Sequence, residues 1–150
     1  MTDPASTAAA RPVAVENFVL CEWATWDQQQ RPTIHGLVQR IAVDRLPQRR
    51  DVIGVLFDVW GPPLTTVKLR LVIEGPEGSK PFAEPQPFDL PLDEDGIRGV
   101  GATLEQLELT AMGDHAVSIH HEGRLLARRR FRVVVKPPMD PSSPTASLQM

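Results

Sequence analysis

The residues able to do chemistry in this chain are few and scattered. Four histidines are present, His35, His115, His120 and His121. A metal site needs several such ligands converging, at spacings like H-E-x-x-H or C-x2-C. Here His120 and His121 are neighbours in an alternating segment, so they point to opposite sides of it. His115 and His121 share a side with Val117 and Ile119, but lie about 20 Å apart in an extended strand. They cannot hold one ion together, so the expectation is ordinary strand histidines and no metal or other cofactor. Cys21 is the only cysteine. It sits within an apolar run, where a thiol behaves as a small hydrophobe rather than a nucleophile. No G-x-S-x-G elbow occurs. No catalytic residue is therefore assigned.

The acidic turn Asp93-Glu94-Asp95-Gly96 is the best cation candidate. A calcium loop of the EF-hand kind needs carboxylates at alternate positions, a glycine and a distant Glu. Only Asp93, Asp95 and Gly96 can be fitted, in the wrong register, so a solvated turn is expected.

Trp23, Trp26 and Trp60 raise a different chemistry, because aromatic faces stack on sugars. The chain has no Tyr and five Phe, so its core needs large side chains, and packing of these tryptophans is the expectation. In a regular strand Trp23 and Trp26 take opposite faces, so one of them looks outward, as Trp60 does on its own strand.

The run Arg128-Arg129-Arg130-Phe131-Arg132 is the most informative oddity. Strand alternation puts Arg128, Arg130 and Arg132 on one side and Ala127, Arg129, Phe131, Val133 and Val135 on the other. The first set is a basic ridge of about 13 Å. It reads as a solvated face paired with Glu105 or Glu108, or as a surface for an acidic partner. Arg40, Arg45, Arg49 and Arg50 form a second basic group that can extend it. Arg129 falls on the inward side, as does Glu22 beside Phe18, Leu20, Ala24 and Trp26. A lone buried charge is too costly to leave unpaired. Either Glu22 and Arg129 meet across strands, or a bulge turns Arg129 outward.

The elements that must carry these residues are strands. Thr66–Glu74 alternates cleanly, with Val67, Leu69, Leu71 and Ile73 on one side. Val52–Trp60 sets Ile53, Val55, Phe57 and Val59 on one side, and Leu56 and Trp60 on the other. Gly61-Pro62-Pro63 turns the chain between these two, the most secure pair of strands. Asn17–Trp26 and Thr33–Val43 flank a polar turn and read as a hairpin. Asp114–His121 and Leu125–Val135 flank Glu122-Gly123 and read as another. Short strands are expected near Phe88–Leu92 and Gln106–Thr110, with one helical turn at Thr103–Leu107. The sum is an all-β domain, a two-layer antiparallel immunoglobulin-like sandwich of seven or eight strands over residues 15–136. Residues 1–14 read as a flexible leader and 137–150 as a disordered Pro/Ser-rich tail.

Two segments carry a resemblance. Phe18–Ala24 followed by Ile34-His35-Gly36-Leu37, and Gly113–Ile119 continuing through Phe131-Arg132-Val133, resemble a bacterial family of small immunoglobulin-like β-sandwich proteins of unknown function. The resemblance spans roughly residues 17–135 and implies a fold without a chemistry.

Composition agrees with one globular domain: 150 residues, 41% hydrophobic and 23% charged. Fifteen prolines suit short strands between turns. A net charge of −3 counts against a nucleic-acid partner. No apolar stretch is long enough to cross a membrane, and the start of the chain lacks the basic and apolar regions of a secretory signal. A cytoplasmic location is the expectation. The leading functional reading is a non-enzymatic binding or assembly module with a protein partner or a second copy of itself. It acts through an edge strand or a sheet face around Arg128, Arg130, Arg132, Leu56 and Trp60. The rivals are a metal-assisted hydrolase using histidines with Asp93 and Asp95, and a carbohydrate-binding module.

Overall fold

Alternation decides the architecture. In Thr66–Glu74 the residues Val67, Leu69, Leu71 and Ile73 are all buried, while Thr66, Lys68 and Glu74 are exposed. In the run before it, Ile53, Val55, Phe57 and Val59 are buried in the same way. Two strands each apolar on one side must close those sides against something, and here each closes against the other's layer in one shared core.

The computed structural model describes residues 11–76 and 87–136. The expected leader and tail therefore lie almost wholly outside the described residues. Nine strands are delimited among them: β1 (Ala14–Trp26), β2 (Pro32–Leu37), β3 (Arg40–Val43), β4 (Gln48–Trp60), β5 (Thr66–Glu74), β6 (Phe88–Pro91), β7 (Ile97–Leu109), β8 (Gly113–His121) and β9 (Arg124–Val135). They form a first sheet in the order β2-β1-β4-β7 and a second in the order β3-β9-β8-β5-β6. The core between them is filled by Phe18, Leu20, Phe57, Leu69, Leu104, Ile119 and Phe131, among others.

Four expectations are corrected. First, β4 and β5 are not ladder partners. Prolines after Gly61 break the ladder, and the turn is tied instead to the 92–97 turn. Gly61 N–H donates to Gly96 O at 2.9 Å, and Leu64 N–H to Asp93 O at 3.0 Å. The chain thus crosses from the first sheet to the second. Second, Thr33–Val43 is two strands. Val38 N–H donates to Leu20 O at 2.8 Å in the first sheet, while Gln39 O accepts from Arg132 N–H at 3.0 Å in the second. The changeover between sheets accounts for the extra strand. Third, β3 runs parallel to β9, with Arg40 beside Arg132 and Val43 beside Val135; the other pairings are antiparallel. Fourth, Thr103–Leu107 is strand, not a helical turn, because β7 pairs along the full length of β4, from Trp60 opposite Ile97 to Gln48 opposite Leu109. Tertiary pairing overrides a weak local cap signal.

Both expected hairpins are present. β1 pairs with β2 and β8 with β9. The second turn places Glu122 at φ 52° and Gly123 at φ 75°, the two left-handed residues that a tight I′ hairpin requires.

Candidate binding cleft

The site is built by an irregularity in β1. The β1–β4 register shifts between Glu16 and Val19, and Asn17 sits there at φ 53°. Side-chain-bearing residues rarely adopt that conformation, and bulges of this kind recur beside functional sites. The bulge aims the Asn17 amide at β4, where Nδ2 donates to Asp58 Oδ2 at 2.8 Å.

Further along, β1 leaves the sheet. Its pairing with β4 ends at Cys21 opposite Gly54, and beyond that β1 pairs with β2 alone, from Trp23 opposite His35 to Trp26 opposite Pro32. The resulting β1–β2 arm lies across the outer face of the first sheet. Trp26 fixes its place: a Cβ added at Gly101 of β7 would fall 2.6 Å from Trp26 Cζ2 and 3.0 Å from Cη2. The indole edge therefore rests on a glycine two strands away from β1 in the sheet order, where no side chain fits.

The arm's tip is locked by Asp27. Its Oδ1 accepts from Gln29 N–H at 2.8 Å and Arg31 N–H at 2.9 Å, and Oδ2 accepts from Arg31 Nε at 2.8 Å. These bonds, those from Arg31 foremost, hold the Asp27 carboxyl below its usual range. Midway along the arm Trp23 stacks on His35, with centroids 3.7 Å apart and planes 7° apart.

Between arm and sheet lies a cleft of about 650 Å³, lined by Asn17, Trp26, Gln30, Leu56, Asp58 and Gly99 among others. That size is within the roughly 300–1,000 Å³ of small-ligand sites. On the other flank of Trp26 is a second hollow of about 200 Å³, which Glu22, Trp23, Gly54 and Thr103 help to line. The Trp26 ring stands between the two.

The residues singled out by sequence fall as follows. Trp23, Trp26 and Trp60 are all substantially exposed, at 55%, 49% and 42%. Trp60 and one of the Trp23/Trp26 pair look outward as expected, but the other member of that pair, expected to pack, is exposed too because this part of β1 has left the sheet. Leu56 does lie on the outer face with Trp60, but it is buried beneath the cleft rather than forming an open patch. In the arginine run, Arg132 Nε bonds Asp114 Oδ1 at 2.9 Å and Arg128 Nη2 lies 3.3 Å from Glu74 Oε2. Strands β8 and β5 of the same sheet thus supply the partners, not Glu105 or Glu108, which belong to β7 in the other sheet. Arg132 holds the Asp114 carboxyl low. Arg130 sits on the same side, opposite Ala116, and Arg40 of the second basic group adjoins the ridge beside Arg132. Glu22 and Arg129 are not buried. Arg129 Nε donates to Phe18 O at 2.6 Å, the carbonyl at the β1 bulge.

Cys21 is buried. Burial, and then the nearby Glu22 carboxylate, push its thiol up from the ordinary value, as suits an inert residue. His115 is buried, with Nδ1 3.0 Å from Gly113 O and its ring stacked on Phe131. His121 Nδ1 lies 3.0 Å from Lys68 O, and His120 Nε2 3.3 Å from Ser118 Oγ. Asp93 Oδ1 accepts from the N–H groups of Asp95 at 2.8 Å and Ile97 at 3.0 Å, so that carboxylate serves its own turn. Among the described residues no group of three or more His, Cys, Asp and Glu is placed to hold a metal ion.

Sequence reasoning missed Asn17, Asp58 and Gly101. Asn17 interrupts the apolar pattern of its strand, which is a bulge signal. Nothing in the sequence places Trp26 over Gly101.

The fold is that of an all-β, immunoglobulin-like sandwich. The chain belongs to a family of unknown function, DUF6941, whose model matches residues 16–134. No curated protein matches the sequence. Among solved structures, an immunoglobulin-like protein from Pseudomonas aeruginosa is 14% identical, with TM-score 0.44, covering 82% of this chain and 97% of that one. The alkylpurine DNA glycosylase AlkC of Pseudomonas fluorescens is 12% identical (TM-score 0.48), with 81% of this chain covering 30% of that protein. A β-glucosidase of Listeria innocua is 6% identical (TM-score 0.48), with 83% of this chain covering 16% of it. The chain therefore spans under a third of the length of both enzymes.

Proposed function

We propose that this domain is a non-enzymatic binding module that works through the outer face of its first sheet, at the cleft beneath the β1–β2 arm. The observation that carries the reading is Trp26. A large aromatic side chain is held half-exposed on Gly101, at the wall of a cleft with hydrogen-bonding groups on its floor. Such side chains anchor recognition when a partner covers them. The arm adds Trp23, Ile34 and Leu37, all exposed. The arginine ridge is a weaker candidate, since Glu74 and Asp114 already meet Arg128 and Arg132.

Gly99 provides a clean test. It is exposed on the cleft floor, and an added Cβ would sit 3.5 Å from Asp58 Oδ1, an ordinary contact. Gly99→Leu therefore fills the cleft without disturbing the ladder. The labelled full chain is applied to arrays of immobilised glycans and of peptides. The reading expects at least one ligand that the wild type holds and Gly99→Leu does not. Ligands held equally by both proteins, or no ligand at all, contradict it.

A second reading, self-association through an edge strand, is supported by β7. It is 13 residues long and, among the described residues, terminates the first sheet with β4 as its ladder partner. A long edge invites strand addition. Light scattering during size-exclusion chromatography expects a dimer at high concentration, and a strict monomer removes this reading.

A further inference from the structure

The chemistry of the cleft goes further than its shape. We propose that it takes a neutral saccharide, with a pyranose ring stacked on the Trp26 indole and its hydroxyls bonded by Asn17 and Asp58. This inference rests on the binding reading above and names the ligand class.

The polar groups decide against other ligands. Asp58 and Asn17 are already paired through Oδ2 and Nδ2 at 2.8 Å. That bond fixes both planar groups and leaves Asp58 Oδ1, Asn17 Oδ1 and the second Asn17 N–H to serve a ligand. Donors and acceptors side by side on fixed planar groups match adjacent sugar hydroxyls, each of which both donates and accepts. A carboxylate in the floor repels phosphates and acidic peptides. Arg98 also lines the cleft, so the lining carries both signs and favours a ligand without net charge.

The backbone decides against an extended peptide. Peptides that add to sheets bind chiefly through main-chain hydrogen bonds at an edge. The cleft floor is instead the face of β4 and β7, where Asp58 pairs with Gly99 and Leu56 with Gly101. Recognition there must come from side chains, as it does for sugars. The cleft is also pre-organised. Asn17 and Gln30 hold left-handed φ values of 53° and 62°, conformations that surrounding structure must enforce and that cluster at ligand sites.

The test is native affinity electrophoresis of the full chain in gels containing a β-glucan, an α-glucan, a xylan or a mannan. At least one of these slows the wild type. Trp26→Ala, Asp58→Ala and Gly99→Leu each weaken that retardation at least tenfold, while Trp60→Ala leaves it within twofold. Circular dichroism melts accompany each variant, and Gly99→Leu carries the conclusion should Asp58→Ala fail to fold. Retardation that survives in Gly99→Leu overturns the proposal. No retardation by any of the four polysaccharides overturns it too, and the peptide array then separates the two levels. Peptides held by the wild type and lost by Gly99→Leu leave the binding reading standing without the sugar. No peptide ligand removes both.

Discussion

Arg129 offers the sharpest test of how the two sheets are joined. It stands in β9 of the second sheet, and its Nε donates to Phe18 O in β1 of the first, at 2.6 Å. That carbonyl lies where the β1 register shifts, within a bulge whose backbone has left the regular ladder. Arg129→Met keeps most of the apolar stem and removes the donor. A hydrogen bond from a charged donor contributes about 1.5–3 kcal/mol when sheltered. The Arg129 side chain is exposed, and water can replace the lost donor, so roughly 1–2 kcal/mol is expected. For a domain of this size that lowers Tm by about 3–8 °C. Urea titration should show a lower midpoint with an unchanged slope, because the surface exposed on unfolding stays the same. Arg129→Lys should recover part of the loss. Arg129→Met with stability within about 0.3 kcal/mol of wild type refutes the bridging role.

Three further outcomes follow from other residues. Cys21, buried with a raised thiol pKa, should react with a thiol probe only in denaturant, and rapid labelling of the native protein contradicts its placement. Gly123 has open space around it but φ +75°, so Gly123→Ala should cost about 1 kcal/mol through backbone strain alone, and Glu122→Asn should raise stability by a few tenths; thermal melts decide both. The Asp114 carboxyl is held low by Arg132, so its folded pKa lies below its unfolded one. The stability this contributes is present above the unfolded value, about pH 4, and is lost as pH falls through the folded value. Asp114→Asn should therefore flatten the acid limb of the stability–pH curve, and an unchanged limb contradicts the pairing.

Much of the fold was legible because burial on one side of a strand writes itself as alternation. Ile53 to Val59 and Val67 to Ile73 were correctly oriented from spacing alone, as was the Glu122-Gly123 turn from its glycine. Which strands pair was less legible. Apolar alternation says that β4 and β5 each have an inward side, and that is equally true of ladder neighbours and of strands facing each other across a core. The crossing at Val38 and Gln39 was hidden for a similar reason, since Thr33–Val43 carries no Gly-Pro punctuation at the switch. The site was the least legible part. Asn17 and Asp58 are 41 positions apart and meet only because of the bulge. Composition argues for packing of the tryptophans, an average that fails for the Trp23/Trp26 pair because aliphatic residues with Phe18, Phe57 and Phe131 fill the core. Alternation turns Arg128, Arg130 and Arg132 outward, as found, but also turns Arg129 inward, whereas it is exposed; the partners of the ridge depend on strand order. Asp114 stands directly opposite Arg132 only once β8 and β9 are paired.

A ligand in the cleft must meet the domain at Trp26. The most direct measurement is the set of indole N–H resonances in a nitrogen-15 spectrum, assigned by single Trp→Phe variants. The titrant is an oligosaccharide cut from whichever neutral polysaccharide retards the protein. With saccharide stacked on Trp26, the Trp26 signal moves saturably while the Trp60 signal stays in place. Movement at Trp60 with Trp26 unmoved, or bound protein whose indole signals all stay still, contradicts it.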